Sequence, residues 1–86
     1  MTTAERIAAE CDTIKELLLA KNSAYGDSAI NPVRIFSTAD AVEQLRVRID
    51  DKLARLARGN PADQEDTVLD LVGYLILLRV AEADNA

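Results

Sequence analysis

The stretch that most constrains the fold is Glu65 to Leu78, EDTVLDLVGYLILL, which is the most apolar part of the chain and carries Asp70 in its middle. In a helix that turns about 100° per residue, one face collects Val68, Leu71, Val72, Leu75 and Leu78. The apolar surface is widened further by Leu69, Ile76 and Val80. The opposite strip carries Asp66, Asp70 and Gly73, with Tyr74 beside them. A helix this apolar belongs in a protein interior, so we expect its apolar face to be buried.

Asp70 is the first candidate functional residue. An ionised carboxylate in an apolar shell is costly unless a cation, a metal ion or several hydrogen bonds compensate it. One interpretation is structural, in which Asp70 forms an ion pair with an arginine of a neighbouring helix. The other is that Asp70 belongs to a binding or catalytic site.

The composition favours helices over sheets. Hydrophobic residues make up 49% of the 86 residues, but aromatic residues only 3%, a balance that suits helix packing. One domain of this length buries a modest share of its surface. We therefore predict a single all-α domain over residues 1–86, a three-helix antiparallel bundle with a long loop between the first two helices, completed by oligomerisation.

Charge and residue inventory exclude several functions. The formal net charge of −5 argues against general binding to nucleic acid or to an anionic membrane. Because there is no histidine and Cys11 is the only cysteine, nucleophilic triads, structural zinc and disulfide frameworks lack their residues. Cys11 falls on the apolar side of its helix, where we expect a small buried hydrophobe.

No targeting or membrane segment is visible. The first ten residues, MTTAERIAAE, contain acids and no apolar core. The longest apolar run, Leu75 to Leu78, is far shorter than a bilayer crossing requires. We therefore expect a soluble, cytoplasmic protein.

Spacing and capping residues predict helices over about 3–21, 38–58 and 63–82, with a loop over 22–37. Thr2 or Thr3 is the expected cap of the first helix and Ser37 or Thr38 that of the second. Asp63 is expected to cap the third helix after a short turn at Pro61. Helices two and three should therefore form an antiparallel hairpin.

The loop from Lys21 to Phe36, KNSAYGDSAINPVRIF, is long for so small a domain, and such loops are often functional. The loop contains many groups that could bind an anion or a sugar, among them the backbone amides around Gly26. The residues are Lys21, Asn22, Ser23, Tyr25, Gly26, Asp27, Ser28 and Arg34. The alternative is a packed connector whose apolar residues close the end of the helical core.

The second predicted helix carries a basic ribbon formed by Arg48, Lys52 and Arg55. It could converge with the loop on phosphate oxygens, because arginine offers a fork of donors. The alternative is a solvated charged face laced with ion pairs, such as Asp51 with Arg55 one turn later.

Antiparallel pairing would also gather acidic residues beside these cations. The predicted magnesium ligands are Asp66, Asp70, Glu65 and Asp51. Carboxylate oxygens are the ligands that magnesium prefers, and the metal could bridge phosphate oxygens of a bound nucleotide. A pair of acids one turn apart is common on helices, so the pattern alone has little specificity.

Three segments, KNSAYGDS, RVRIDDKLARL and EDTVLDLVGYLILL, resemble small phage and bacterial proteins of the nucleotide modification associated domain type 1 family. Those proteins in turn are similar to MazG-like all-α nucleoside triphosphate pyrophosphatases. The resemblance covers roughly residues 21–78 and implies a helical oligomer that holds or processes nucleotides in a phage-linked setting, hence in the host cytoplasm. The positions that fit are Lys21, Tyr25, Gly26, Asp27, Lys52, Glu65, Asp66 and Asp70.

One departure bears on catalysis. MazG-like enzymes carry an E-x-x-E helix facing an E-x-x-D helix, but no E-x-x-E occurs here. The nearest substitutes are Asp40-x-x-Glu43 and the Asp50-Asp51 pair. This difference puts the metal site of those enzymes in doubt for this chain.

Three functions remain from the sequence. The first is a module that binds a nucleotide or cyclic nucleotide between helices two and three and the 21–36 loop, and so sequesters it. The second is a magnesium-dependent nucleoside triphosphate pyrophosphatase. The third is a helical interaction protein without a ligand. The missing E-x-x-E favours binding over catalysis.

Overall fold

Three helices account for the regular structure of this computed structural model, which describes residues 1–59 and 66–84. They are α1 (Thr3–Ala24), α2 (Ala41–Arg58) and α3 (Thr67–Asp84), with no strand in the described ranges. The all-α, three-helix prediction is thus confirmed, whereas oligomerisation stays a prediction. Glu65, Pro61 and Asp63 lie outside the described residues, so the proposed turn and cap there are not described.

Helices α2 and α3 form the antiparallel hairpin at the centre of the fold. Val42, near the start of α2, shares a core cluster with Ala81, near the end of α3. Lys52, in the second half of α2, contacts Asp70 in the first turn of α3. Opposite ends of the two helices therefore meet, as the sequence predicted.

Helix α1 begins with a capping box. The Thr2 hydroxyl accepts a hydrogen bond from the Glu5 backbone N–H at 3.1 Å, and the Glu5 carboxylate accepts one from the Thr2 N–H at 3.0 Å. Hydrogen bonding of the Glu5 carboxylate with Thr2, first with its backbone N–H and then with its side chain, lowers the pKa of Glu5 because it favours the charged form. Of the two caps predicted for this helix, the structure uses Thr2.

The cap of α2 differs from the prediction of Ser37 or Thr38. Asp40 is the N-cap, and its carboxylate accepts a hydrogen bond from the Glu43 N–H at 2.9 Å. The Ser37 hydroxyl instead accepts one from the Ala39 N–H at 3.0 Å, which makes a local turn before the helix. Both residues can cap, and the helix starts at the later one.

The connection between α1 and α2 runs from 25 to 40 instead of 22 to 37, because α1 continues for one further turn. Gly26 and Asp27 both have positive φ, 62° and 64°, and the Asp27 carbonyl accepts backbone hydrogen bonds from Ile30 and Asn31. The Asn31 side chain also donates to the Asp27 carboxylate. Glycine and aspartate tolerate this left-handed backbone, so the sequence GD places the bend.

The core lies between α2 and α3 and is small. Its buried hydrophobic residues are Val42, Leu45, Ile49 and Ala81. Leu45 is 1% exposed, and the partly buried side chains packed against the cluster include Ala29 and Ile30 of the connection. One part of the connection is therefore a packed connector.

The orientation of α3 corrects the sequence prediction. The strip with Asp70, Gly73 and Tyr74 faces α1 and α2, while Val68 and Leu75 of the apolar face lie 59% and 45% exposed. The buried residues of α3 are Gly73 and Ala81. Small side chains allow close helix approach on that side, and Leu77 and Leu78 pack against the core cluster, whereas Val68 and Leu75 remain outside.

Helix α1 packs on α3 only through its second half. A Cβ built on Gly73 would lie 3.1 Å from Leu18 Cδ2, which places the crossing point at these two residues. All of the first thirteen residues are exposed, including Cys11. The expected burial of Cys11 is therefore wrong, because α1 extends past the edge of the α2–α3 hairpin.

This crossing gives a testable expectation for Gly73. Replacing Gly73 with leucine should cost about 1–3 kcal/mol, because the larger side chain must push Leu18 and α1 away. Gly73→Ala is the matched control, since the gain in helix propensity of about 1 kcal/mol offsets the tight methyl contact. Chemical denaturation measures both, and equal stability of the two variants would contradict the crossing.

No helix in the described ranges combines the length and the hydropathy that a bilayer crossing requires. A cytoplasmic location stays a prediction.

Candidate functional site

A cavity of about 460 Å³ lies between the three helices, beside the first turns of the connection. Helix α1 contributes its second half, α2 contributes residues spaced by one turn, and α3 contributes its inward strip. The lining residues are Ile14, Leu17, Leu18, Lys21, Asn22, Tyr25, Ser28, Ala29, Gln44, Leu45, Arg48, Lys52, Leu69, Asp70, Gly73, Tyr74 and Leu77. The cavity therefore joins parts of the chain that are far apart in sequence.

Charge in the cavity is mostly positive. In the described part of the chain, the cationic residues that line it are Lys21, Arg48 and Lys52, and the acidic residue is Asp70. The chain as a whole carries a formal charge of −5, so this concentration of cations is local. Aliphatic side chains from all three helices supply the apolar part of the wall.

Asp70 pairs with cations from both other helices. Its Oδ2 lies 3.2 Å from Lys52 Nζ, within hydrogen-bond distance, and its Oδ1 lies 3.9 Å from Lys21 Nζ. The Lys52 side chain is 11% exposed and the Asp70 side chain 22%. Partial burial strengthens such a pair, because less water screens it. Asp70 therefore forms ion pairs with neighbouring helices, as the structural interpretation expected, but its partners are lysines and not an arginine.

The spacing of α2 explains why its cations face the cavity. Gln44, Arg48 and Lys52 follow one another at four residues and therefore lie on one side of the helix. Gln44 was missed by the sequence analysis, although its position one turn before Arg48 was a usable signal. Its side chain donates to the Ala39 carbonyl at 3.4 Å.

Tyrosines stand at two points of the cavity wall. Tyr25 is the C-cap residue of α1, and its backbone N–H donates to the Lys21 carbonyl at 2.9 Å. Its side chain is 70% exposed, which leaves a ring face open to a ligand. Tyr74 of α3 is half-buried and was missed as a site residue.

Several predicted site residues are not in the wall. Arg34 and Asp51 are exposed, Arg55 is half-buried, and none of the three lines the cavity. Gly26 and Asp27 have a conformational role instead, since their positive φ values turn the chain directly after Tyr25. The predicted residues that the structure brings together are Lys21, Asn22, Tyr25, Ser28, Arg48, Lys52 and Asp70.

The predicted magnesium ligands do not fit a metal centre in the described part of the chain. Asp70 is engaged by two lysines, and the Asp66 carboxylate accepts a hydrogen bond from the Leu69 N–H at 3.0 Å, which caps α3. Glu65 lies outside the described residues. Within residues 1–59 and 66–84, no group of three or more candidate ligands is close enough to hold a metal ion.

The substitutes for the missing E-x-x-E have other roles as well. Asp40 caps α2, and the Glu43 carboxylate pairs with the Arg46 guanidinium at 2.6 Å. This pair, with the hydrogen bond as the main cause, raises the pKa of Arg46. Both acids thus serve the start of α2 and do not line the cavity.

Comparison of the chain with family models, with curated proteins and with solved structures finds no match. The resemblance to nucleotide modification associated proteins therefore stays a prediction that depends on the three segments quoted above.

Proposed function

We propose that the protein binds a small phosphate-bearing ligand, a nucleotide or cyclic nucleotide, in the cavity between its three helices and holds it without turnover. A protein of this kind would sequester its ligand. In a phage-linked setting, which the resemblance implies, the ligand would belong to the host cell.

The observation that carries this proposal is the charge of the cavity. Among the described residues, three cationic side chains and one carboxylate line the same cavity, in a chain whose acids outnumber its basic residues by fifteen to ten. A phosphate group would bind favourably next to these cations, since arginine and lysine both donate hydrogen bonds to phosphate oxygens.

Size and shape of the cavity support a nucleotide in particular. The volume of about 460 Å³ falls in the range of about 300–1,000 Å³ that is typical of small-molecule sites. The leucines of the wall and the exposed ring of Tyr25 suit a nucleobase, because aromatic and aliphatic surfaces stack on bases. Asn22, Ser28 and Gln44 add neutral hydrogen-bonding groups.

Binding without turnover is favoured over the pyrophosphatase hypothesis. Among the described residues, Asp70 is the acidic one that lines the cavity, and its two oxygens face two lysines. Magnesium in nucleotide sites is usually held by one or two carboxylates together with phosphate oxygens, and the lysines already engage this carboxylate. Magnesium as a cofactor stays a prediction, and so does the third hypothesis of an interaction protein without a ligand.

Arg48 offers the cleanest test of this site. A panel of linear and cyclic nucleotides, with and without magnesium, is scanned for a rise in melting temperature of the wild-type protein. We expect at least one nucleotide to stabilise the fold, by about 2.7 kcal/mol at a concentration 100 times its Kd. Arg48→Gln should weaken its binding by roughly tenfold, because one charge-assisted hydrogen bond is lost.

Arg46→Gln is the matched control, since Arg46 is on the same helix but pairs with Glu43 outside the cavity. It should bind the nucleotide as the wild type does. Chromatography of the incubated mixture then separates binding from turnover, because only an enzyme produces new nucleotide species. If no nucleotide changes the melting temperature, the proposed function is wrong.

A further inference from the structure

The outward face of α3 is an apolar surface that the rest of the chain leaves open. Four aliphatic residues follow one another along it at helical spacing: Val68, Val72, Leu75 and Ile76. Val68, Leu75 and Ile76 are exposed, and Val72 is half-buried. Gly73 and Asp70, which line the cavity, lie on the opposite side of the same helix.

A helix that is apolar on more than one side needs protein contacts on more than one side. In this chain, α2 and α1 cover the inward strip of α3, and α3 buries only Gly73 and Ala81. Exposed apolar surface on this scale marks an interaction site in a soluble protein. The outward face of α3 is therefore an unfilled contact surface.

The chain exposes more surface than a compact monomer of its mass. It exposes 6576 Å², whereas a compact monomer of 9.4 kDa exposes about 5,000 Å². The excess of about 1,500 Å² belongs to the whole chain, the exposed start of α1 and the connection included, and it leaves room for the roughly 800 Å² that each partner buries in a standard interface. The radius of gyration, 14.6 Å, is also larger than the value of about 12 Å expected for this length.

The chemistry of the face suits a second copy of the same chain better than a lipid surface. Its centre contains no charged residue, and Arg79 lies at its end, on the same side of the helix. Identical apolar faces can meet without opposing charges, which is the requirement for a two-fold symmetric interface. An anionic membrane would repel a chain with a net charge of −5.

We infer that the protein forms a symmetric dimer in which α3 of one copy packs antiparallel against α3 of a second copy. The antiparallel direction follows from Arg79. In a parallel pair the two arginines would face each other, whereas an antiparallel pair centred between Val72 and Leu75 separates them by about 16 Å along the axis. Leu75 of each copy then packs beside Val72 of the other.

This dimer does not depend on the proposed ligand, because the cavity and the outward face are on opposite sides of α3. It does place the helix that carries Asp70 between two packed surfaces. The site would thus be built on a helix that is held on both sides.

Sedimentation equilibrium of the full chain tests the dimer. We expect the wild type to sediment with twice the mass of 9.4 kDa, and Leu75→Glu to shift the equilibrium to the monomer by at least a hundredfold in the dissociation constant. Val47→Glu is the matched control, since Val47 is an exposed valine of α2 away from this face, and it should remain dimeric. Circular dichroism confirms that both variants stay helical.

Disulfide crosslinking tests the geometry without a destabilising charge. In a Cys11→Ser background, Val72→Cys should form a covalent dimer on mild oxidation, because the two copies of residue 72 lie close to the symmetry axis. Val68→Cys should not, since its two copies lie about 16 Å apart along the axis.

Four results would overturn the inference: a monomeric wild type, dissociation by Val47→Glu to the same extent, crosslinking of Val68→Cys instead of Val72→Cys, or binding of the monomer to neutral lipid vesicles through Leu75.

Discussion

Replacing Leu45 with alanine is expected to lower the free energy of unfolding by about 3 kcal/mol. Leu45 is the most buried large side chain, with 1% of its surface exposed, and it contributes to both the core cluster and the cavity wall. Truncation removes apolar contacts and leaves a void that the helices cannot fully close. For 86 residues the whole stability is only about 4–13 kcal/mol, so the loss is a large fraction of it.

Urea denaturation followed by circular dichroism measures this loss. Leu56→Ala is the matched control, because Leu56 is on the same helix but 42% exposed, and its truncation should cost less than about 1 kcal/mol. Equal losses at the two positions would mean that the core between α2 and α3 does not hold the chain together.

Asp70→Asn is expected to change stability and ligand affinity in opposite directions. Stability should fall by about 2 kcal/mol, because the largely buried Lys52 ammonium loses a charged partner at 3.2 Å. Affinity for a phosphate ligand should rise by roughly tenfold, since removing a nearby negative charge gains about 1–2 kcal/mol at the effective dielectric of a partly buried site. Both effects are expected because the Asp70 carboxylate stabilises the Lys52 ammonium but repels the phosphate group of a ligand.

The measurement is a calorimetric titration of the variant with inorganic pyrophosphate and with the best nucleotide of the panel. Asp66→Asn is the matched control, because asparagine also caps helices well and Asp66 lies outside the cavity wall. It should leave both the stability and the affinity unchanged. If Asp70→Asn instead lowers the affinity, the result would indicate that the carboxylate holds a metal ion, as the pyrophosphatase hypothesis requires.

The helices and their pairing could be predicted from the sequence because local signals specify them. Periodic aliphatic residues, the cap at Thr2, and the turn formers around Gly26 each act within a few residues. The start of α2 was misplaced because Ser37, Thr38 and Asp40 can all cap a helix. Only the contacts of the folded chain select one of them.

The orientation of α3 could not be predicted, because it depends on partners and not on periodicity. Hydrophobicity favours burying the face with Leu75, but close approach of Leu18 requires a residue as small as Gly73. Within one chain the second requirement prevails. When a helix has two faces suited to protein contacts, its hydrophobic pattern does not predict which of them packs within the same chain.

The candidate site was predicted in part. Asp70 and Lys52 were expected to meet because the hairpin brings the end of α2 to the start of α3, and they do. Arg34 was chosen as a cation of the loop and Arg55 as part of the basic ribbon of α2, and the cavity includes neither. Gln44 and Tyr74 are neutral residues of helices, where only charged groups were considered.

The unequal halves of α1 have a further consequence. The cavity wall begins at Ile14, while every residue before it is exposed. The cavity, where we propose that the ligand binds, therefore does not involve the opening three turns of this helix, and their sequence or length could change without altering the cavity wall. Selection on binding would act on the span from Ile14 to Tyr25 and leave the preceding turns free to acquire a different role.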